Sequence, residues 1–206
     1  DNPKTKSEIA SQKEIVMSST VIGIDIGGTK TKIGYKNQGA LKTIAHFETP
    51  RDPGRAISAI EGKISEFLEH NGALKGIGIG CPGPLDQEAG VVLTPPNLPG
   101  WRDVPLGKLL QKQFDVPVRL ENDGNAGALG EAVYGEGAGF HTVFYCTIST
   151  GIGAGIVIDG KIHRGRCGLA AEVWAFEPEY YYGRKTGSTI EDRSSGNGIV
   201  SQARRL

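Results

Sequence analysis

Methionine is nearly missing, at one residue in 206, and tryptophan and cysteine are scarce, at two and three. Cys81, Cys146 and Cys167 are widely spaced and odd in number, which argues against a disulfide framework or a CxxC metal pair. They read as buried or half-buried thiols. A surplus of either charge is also missing: 23 Lys and Arg balance 23 Asp and Glu. Non-specific nucleic-acid and anionic-membrane binding both draw on excess basic charge, so neither partner is expected. No run approaches the roughly 20 apolar residues of a membrane span. Residues 1–19, DNPKTKSEIASQKEIVMSS, read as a polar leader without the apolar middle of a signal peptide, and a cytoplasmic protein is expected. What the chain has in abundance is glycine, 31 residues, about twice the usual share of ~7%.

Those glycines sit at the ends of short β-branched runs, where a loop needs positive φ or close approach to a ligand. Thr20–Ile26 predicts a buried strand, Gly27-Gly28 its turn and Thr31–Tyr35 the returning strand, with a third at Leu41–Phe47. Ala56, Ile57, Ile60, Ile64, Phe67 and Leu68 recur at helical spacing, and Asn71-Gly72 supplies the stop. Lys75–Gly80 predicts a strand. Asp103 is the expected cap of a second helix with Leu106, Leu109, Leu110 and Phe114 on its apolar face. A strand at Val116–Leu120 and a short helix at Ala126–Val133 follow. Gly135, Gly137 and Gly139 suggest a border, dividing residues 20–138 from a second lobe at 139–206. That lobe opens with a strand at Thr142–Ile148 and a hairpin, Gly153–Ile158 with Lys161–His163, turned by Asp159-Gly160. Irregular chain then runs to a helix at Gly198–Arg204.

Two apparent nucleotide loops fail on chemistry. Gly78–Gly83 spells GxGxxG, but Pro82 and Pro84 deny the helix whose N-terminus would meet a pyrophosphate. Gly155–Lys161 spells GxxxxGK, but Ile162 stands where a Mg²⁺-binding hydroxyl belongs. Asp25-Ile26-Gly27-Gly28-Thr29-Lys30 is a different arrangement: a carboxylate at a strand end, a glycine turn, then Thr and Lys. Such a turn aims N–H groups and a hydroxyl at phosphate oxygens, while the carboxylate holds Mg²⁺ through water. Taken alone, Gly-Gly is also ordinary hairpin chemistry. Ser149–Gly155, STGIGAG, is a second hydroxyl- and glycine-rich turn, and two such turns suggest a nucleotide clamped across a cleft.

Taken in order, DIGGTK, GIGCPGP (78–84), NLPGW (97–101), LENDGNAGALGE (120–131), STGIGAGIVIDG (149–160), GLAAEV (168–173) and IEDRSSGNGI (190–199) resemble the ROK family (repressors, open reading frames, kinases) of sugar kinases. The resemblance covers about residues 20–200. It implies an α/β actin-like ATPase (ribonuclease H-like) fold of two lobes flanking a cleft, with the second lobe incomplete because family members continue past Leu206. It implies ATP and Mg²⁺ as cofactors and a hexose, glucose foremost, phosphorylated at its 6-hydroxyl. Asp123 would be the general base, with Asn122, Glu172, Glu191, Gly83 and Asn97 binding sugar. Asp25, Gly27, Gly28, Thr29, Lys30, Thr150, Gly151 and Gly153 would bind the nucleotide, Asp25 through Mg²⁺. A homodimer is the expected assembly.

Each residue also has a plainer reading. Asn-Asp-Gly-Asn is good turn or helix-cap chemistry for Asp123, and Glu172 and Glu191 fit a solvated acidic face. The family's His after the sugar-binding Glu is missing from Ala171–Ala175, and its cysteine-rich stretch is represented by Tyr180–Ser188 without a thiol. With no soft ligands at that spacing, no structural zinc is expected. His163 falls outside the motif position and reads as a surface or core residue. The alternatives are a sugar-binding protein or repressor-like sensor without kinase activity, or a kinase for an N-acetyl-hexosamine, fructose or mannose. Only 19 polar residues precede Thr20, fewer than a helix-turn-helix needs.

Overall fold

Ile22, Ile24 and Ile26 alternate along β1 (Thr20–Ile26) and are all buried, the period of two that puts one row of side chains into a core. The computed structural model describes residues 20–177 and 188–205. The leader at 1–19 and the tyrosine run at 180–182 therefore lie outside the described residues.

β2 (Lys30–Asn37) runs antiparallel to β1, β3 (Ala40–Glu48) antiparallel to β2, and β4 (Leu74–Cys81) parallel to β1. With β7 (Val118–Asn122) they form a five-stranded sheet in the order β3-β2-β1-β4-β7. α1 (Pro53–Asn71) buries Ala56, Ile57, Ile60 and Ile64 in the same core. The Asp52 carboxylate accepts from the Arg55 N–H at 2.8 Å, Pro53 presets the first turn, and Gly72 (φ 86°) ends the helix.

α2 (Leu106–Phe114) corrects an expectation: Asp103 does not cap it. Val92 and Val104 exchange both backbone hydrogen bonds, and the Asp103 N–H donates to the Leu93 carbonyl. This extended pairing holds Asp103 (φ 50°) outside the helix, which starts after Pro105 without a side-chain cap. Leu106 and Leu110 are buried as expected, but Leu109 is 39% exposed. A ribbon of β5 (Leu85–Asp86) and β6 (Val91–Val92) was not expected from the pattern. β7 ends later than expected because Asn122, not a residue nearer Ala126, caps α3 (Asp123–Tyr134).

β8 (Thr142–Ile148), β9 (Ile152–Ile158) and β10 (Lys161–Ile162) form a three-stranded sheet in the order β10-β9-β8. Asp159 (φ 50°) and Gly160 (φ 71°) turn the β9–β10 hairpin as the Asp-Gly pair predicts. The supposed GxxxxGK loop is thus strand and turn. α4 (Ile190–Ser194) and α5 (Gly196–Ala203) follow; α5 starts earlier than expected because the buried Ser195 accepts from the Gly198 N–H at 3.0 Å.

The chain divides into two compact units between Leu120 and Glu121, ahead of the Gly135–Gly139 stretch. α3 goes with the second unit because glycines let it lie against β9. A Cβ on Gly124 would stand 2.4 Å from the Ala154 carbonyl oxygen, and one on Gly155 would stand 2.5 Å from that of Gly124. Among the described residues, no helix is long and apolar enough to cross a membrane.

Candidate functional site

In the first unit, the β1–β2 turn carries Gly27, Gly28, Thr29 and Lys30. The Gly27 N–H donates to the Lys30 carbonyl at 2.9 Å, closing the turn. Thr49 braces it from β3's end: its hydroxyl donates to the Gly27 carbonyl at 2.7 Å and its N–H to the Thr29 carbonyl at 2.9 Å. Thr31, 1% exposed, bonds the same Thr49 hydroxyl at 2.9 Å. These two threonines were missed in the sequence; the cue available was a hydroxyl beside the glycine turn at Thr31. Gly28 abuts Asn97, whose carbonyl oxygen would be 2.5 Å from any Cβ there. The fold therefore joins a residue expected at phosphate with one expected at sugar. Asp25 is exposed at the end of β1, in register with Lys32 and Gly80. Gly83 follows β4 in the loop leading to β5.

Asp25, Thr29 and Lys30, all exposed around the β1–β2 turn, are residues of the types that a magnesium nucleotide takes. Mg²⁺ ordinarily takes one or two carboxylates and leaves its other positions to phosphate oxygens and water. The Lys adds a cation, and a glycine turn of this kind can offer backbone N–H groups to a phosphate.

In the second unit, Asn122 and Asp123 sit where β7 becomes α3. The Asn122 side chain accepts from the Asn125 N–H at 3.2 Å, so Asn122 is the cap and Asp123 the first helical residue. The Asp123 carboxylate accepts from the Gly124 N–H at 2.9 Å, and the helix N-terminus favours its negative charge. Glu121, which sequence reasoning did not single out, organises this junction. Its Oε1 accepts from the Asn122 N–H at 3.0 Å and from Asn125 Nδ2 at 3.2 Å, while Arg164 pairs with Oε2.

Glu191 is half-buried and takes the Ile152 N–H at 2.7 Å on its Oε2. It is thus joined to the second glycine turn at the residue between Gly151 and Gly153 and is not a freely solvated acid. The Gly196 N–H donates to the Ser149 carbonyl at 2.8 Å and the Asn197 N–H to that of Thr150 at 3.2 Å. α4 is fixed by a capping box in which Thr189 and Asp192 bond reciprocally. Hydrogen bonds from the Thr189 backbone and then its hydroxyl hold the Asp192 carboxyl below its usual range. Glu172, by contrast, is exposed, accepts from Trp174 Nε1, and lines an open depression of about 590 Å³ with Phe176 and Ile190. The Phe176 carbonyl accepts from the Ile190 N–H, so Glu172's segment is tied to the start of α4.

Comparison with known proteins gives the arrangement a lineage. The ROK family pattern matches residues 21–178. A xylose repressor of Caldicellulosiruptor bescii is 36% identical over 161 residues, 75% of this chain and 40% of its own length. A glucokinase of Streptomyces coelicolor is 36% identical over 152 residues, 73% of this chain and 47% of its own. The chain thus spans less than half the length of these curated relatives. A ROK glucokinase of Streptomyces griseus, solved in complex with glucose and AMPPNP, superposes with a TM-score of 0.76 at 34% identity. The match covers 91% of this chain and 61% of that one. The mixed α/β fold is that of the ROK kinases, and the chain belongs to the ROK family.

Proposed function

We propose that this chain carries the phosphoryl-transfer machinery of an ATP-dependent hexose kinase, acting on the 6-hydroxyl of a sugar such as glucose. The observation that carries the reading is the placement of Asp123. A carboxylate in the first turn of a helix, held by the Gly124 N–H, next to the Asn122 that caps the helix and to the Glu121 that buttresses that cap, has the fixed direction a general base needs.

In the reaction, the sugar 6-oxygen attacks the γ-phosphorus, its proton passes to Asp123, and the bond to the β,γ-bridging oxygen breaks to release ADP. In the second unit Asn122 hydrogen-bonds neighbouring hydroxyls and Glu172 and Glu191 bind the other end of the ring; Gly83 and Asn97 are the sugar-binding candidates of the first unit. Asp25, Gly27, Gly28, Thr29 and Lys30 are the phosphate-binding candidates of the first unit, and Thr150, Gly151 and Gly153 those of the second. Asp25 would hold Mg²⁺, which would supply charge neutralisation to the phosphate oxygens. Positioning and charge stabilisation do most of the work in such a transfer, which suits a site rich in backbone turns and poor in reactive side chains.

The test is release of ADP from ATP in the presence of glucose, with glucose binding followed by calorimetry. Asp123→Asn should lower kcat by about 10²–10⁴-fold while the glucose Kd changes little. Loss of glucose binding in that variant would return Asp123 to a structural role. The similarity to a xylose repressor supports a second reading, a sugar-responsive regulator built on the same pocket. Sugar binding without ADP release would favour it, and comparing glucose, xylose, mannose, fructose and N-acetyl-hexosamines in one assay assigns the sugar.

A further inference from the structure

We propose that Glu191 is a positioning residue that couples sugar binding to nucleotide binding. It does so by holding the glycine turn Thr150–Gly153 through the Ile152 amide. The inference rests on the kinase reading, since it needs both ligands, and it goes beyond that reading by giving one carboxylate two simultaneous partners.

The geometry is specific. Oε2 of Glu191 receives the Ile152 N–H at 2.7 Å, across 39 residues of sequence. Position 151 has room for that carboxylate only because it is glycine: a Cβ there would stand 2.5 Å from Oε2. The carbonyls of the same turn are taken from the same side, Ser149 by the Gly196 N–H and Thr150 by the Asn197 N–H. The turn is therefore held at Ser149, Thr150 and Ile152 by the α4–α5 segment, and among the described residues the Glu191 hold is the one made by a side chain that a ligand can reorient. The capping box places Glu191 in the first turn of α4 and restrains its backbone.

The second carboxylate oxygen, Oε1, is the one available to a sugar hydroxyl in the proposed reaction. A hydroxyl donating to it restricts the side chain to one rotamer, which strengthens the hold on Ile152 and orders the turn before the nucleotide arrives. A phosphate then meets a turn whose ordering has already been paid for, and the two ligands bind with positive cooperativity. Linkage requires the effect to be reciprocal, so the nucleotide tightens the sugar by the same factor.

The experiment measures the Kd of AMPPNP with Mg²⁺, with and without saturating glucose, and the exchange rate of the Ile152 amide. In the wild-type chain glucose should tighten AMPPNP at least about fivefold and slow exchange at Ile152. Glu191→Ala should bring the factor to about one and speed Ile152 exchange. Glu191→Gln, which keeps an oxygen for the amide and a polar group for the sugar, should retain most of the coupling. Gly151→Ala leaves Glu191 in place but pushes its carboxylate off the turn, and should uncouple the ligands as Glu191→Ala does. It also decides the matter if the Glu191 variants fold poorly. Binding of both ligands without coupling, or coupling that survives Glu191→Ala and Gly151→Ala, overturns the inference and leaves the kinase reading standing. Failure of the wild-type chain to bind either ligand overturns both.

Discussion

Glu121 shows how much one side chain can organise. It accepts from the Asn122 N–H and the Asn125 amide on one oxygen and pairs with Arg164 on the other, so the residues flanking Asp123 are held from a single carboxylate. Asn125 is 4% exposed, and removing its acceptor leaves a buried amide unsatisfied. Glu121→Ala should therefore cost about 1–3 kcal/mol in urea denaturation. Asn122→Ala should cost about 1 kcal/mol through loss of the cap. Asp192 gives a pH signature at the same scale. Its folded pKa lies below the ordinary carboxyl value, so the stability it contributes is fully present above about pH 3.9 and is lost as pH falls through the depressed value. An NMR titration of its carboxyl carbon should show a midpoint below the ordinary value, and Thr189→Val should move that midpoint upward. An unmoved midpoint would mean that the capping box does not persist in solution.

At the scale of elements, the close fit of α3 on β9 depends on Gly124 and Gly155 facing each other without side chains. Gly124→Ala puts a methyl group into the Ala154 backbone, which cannot retreat as a flexible side chain would, and should destabilise the chain by about 1–3 kcal/mol. A substitution of similar size at Gly130, whose Cβ direction is open, is the matched control and should have no such effect. Both strands of the β1–β2 hairpin, helix α1 and the β9–β10 turn were legible in the sequence, since period, caps and Asp-Gly chemistry are local. Asp103 was misread because its side chain is a good cap in isolation. The pairing of Val92 with Val104, which no local pattern announces, takes that residue out of the helix.

For the whole molecule, zero net charge and a pI near 7.1 remove the electrostatic repulsion that keeps proteins apart at neutral pH. The second unit adds an apolar surface. β8 is uncharged along TVFYCTI, stands at the edge of its sheet among the described residues, and leaves Phe144 and Ile148 56% and 65% exposed. Such an edge is a template for further strand pairing. Light scattering of the chain should peak near pH 7, and Phe144→Lys should reduce it with little change in the urea midpoint. Equal scattering in the two proteins would show that β8 is not the sticking surface.

The sequence by itself determined the alternating isoleucines of the first sheet, the turns where glycine gathers and the order of motifs that marks the ROK family. These follow from residue-by-residue preferences and from short patterns. Only the tertiary structure decided that Thr49 braces Gly27, that Asn97 closes on Gly28, that Arg164 meets Glu121 and that Glu191 reaches the Ile152 amide. Each of those contacts joins residues far apart in the chain. No periodicity records them, because which side chain fills a given space is settled only when separate elements pack and every buried donor must find an acceptor.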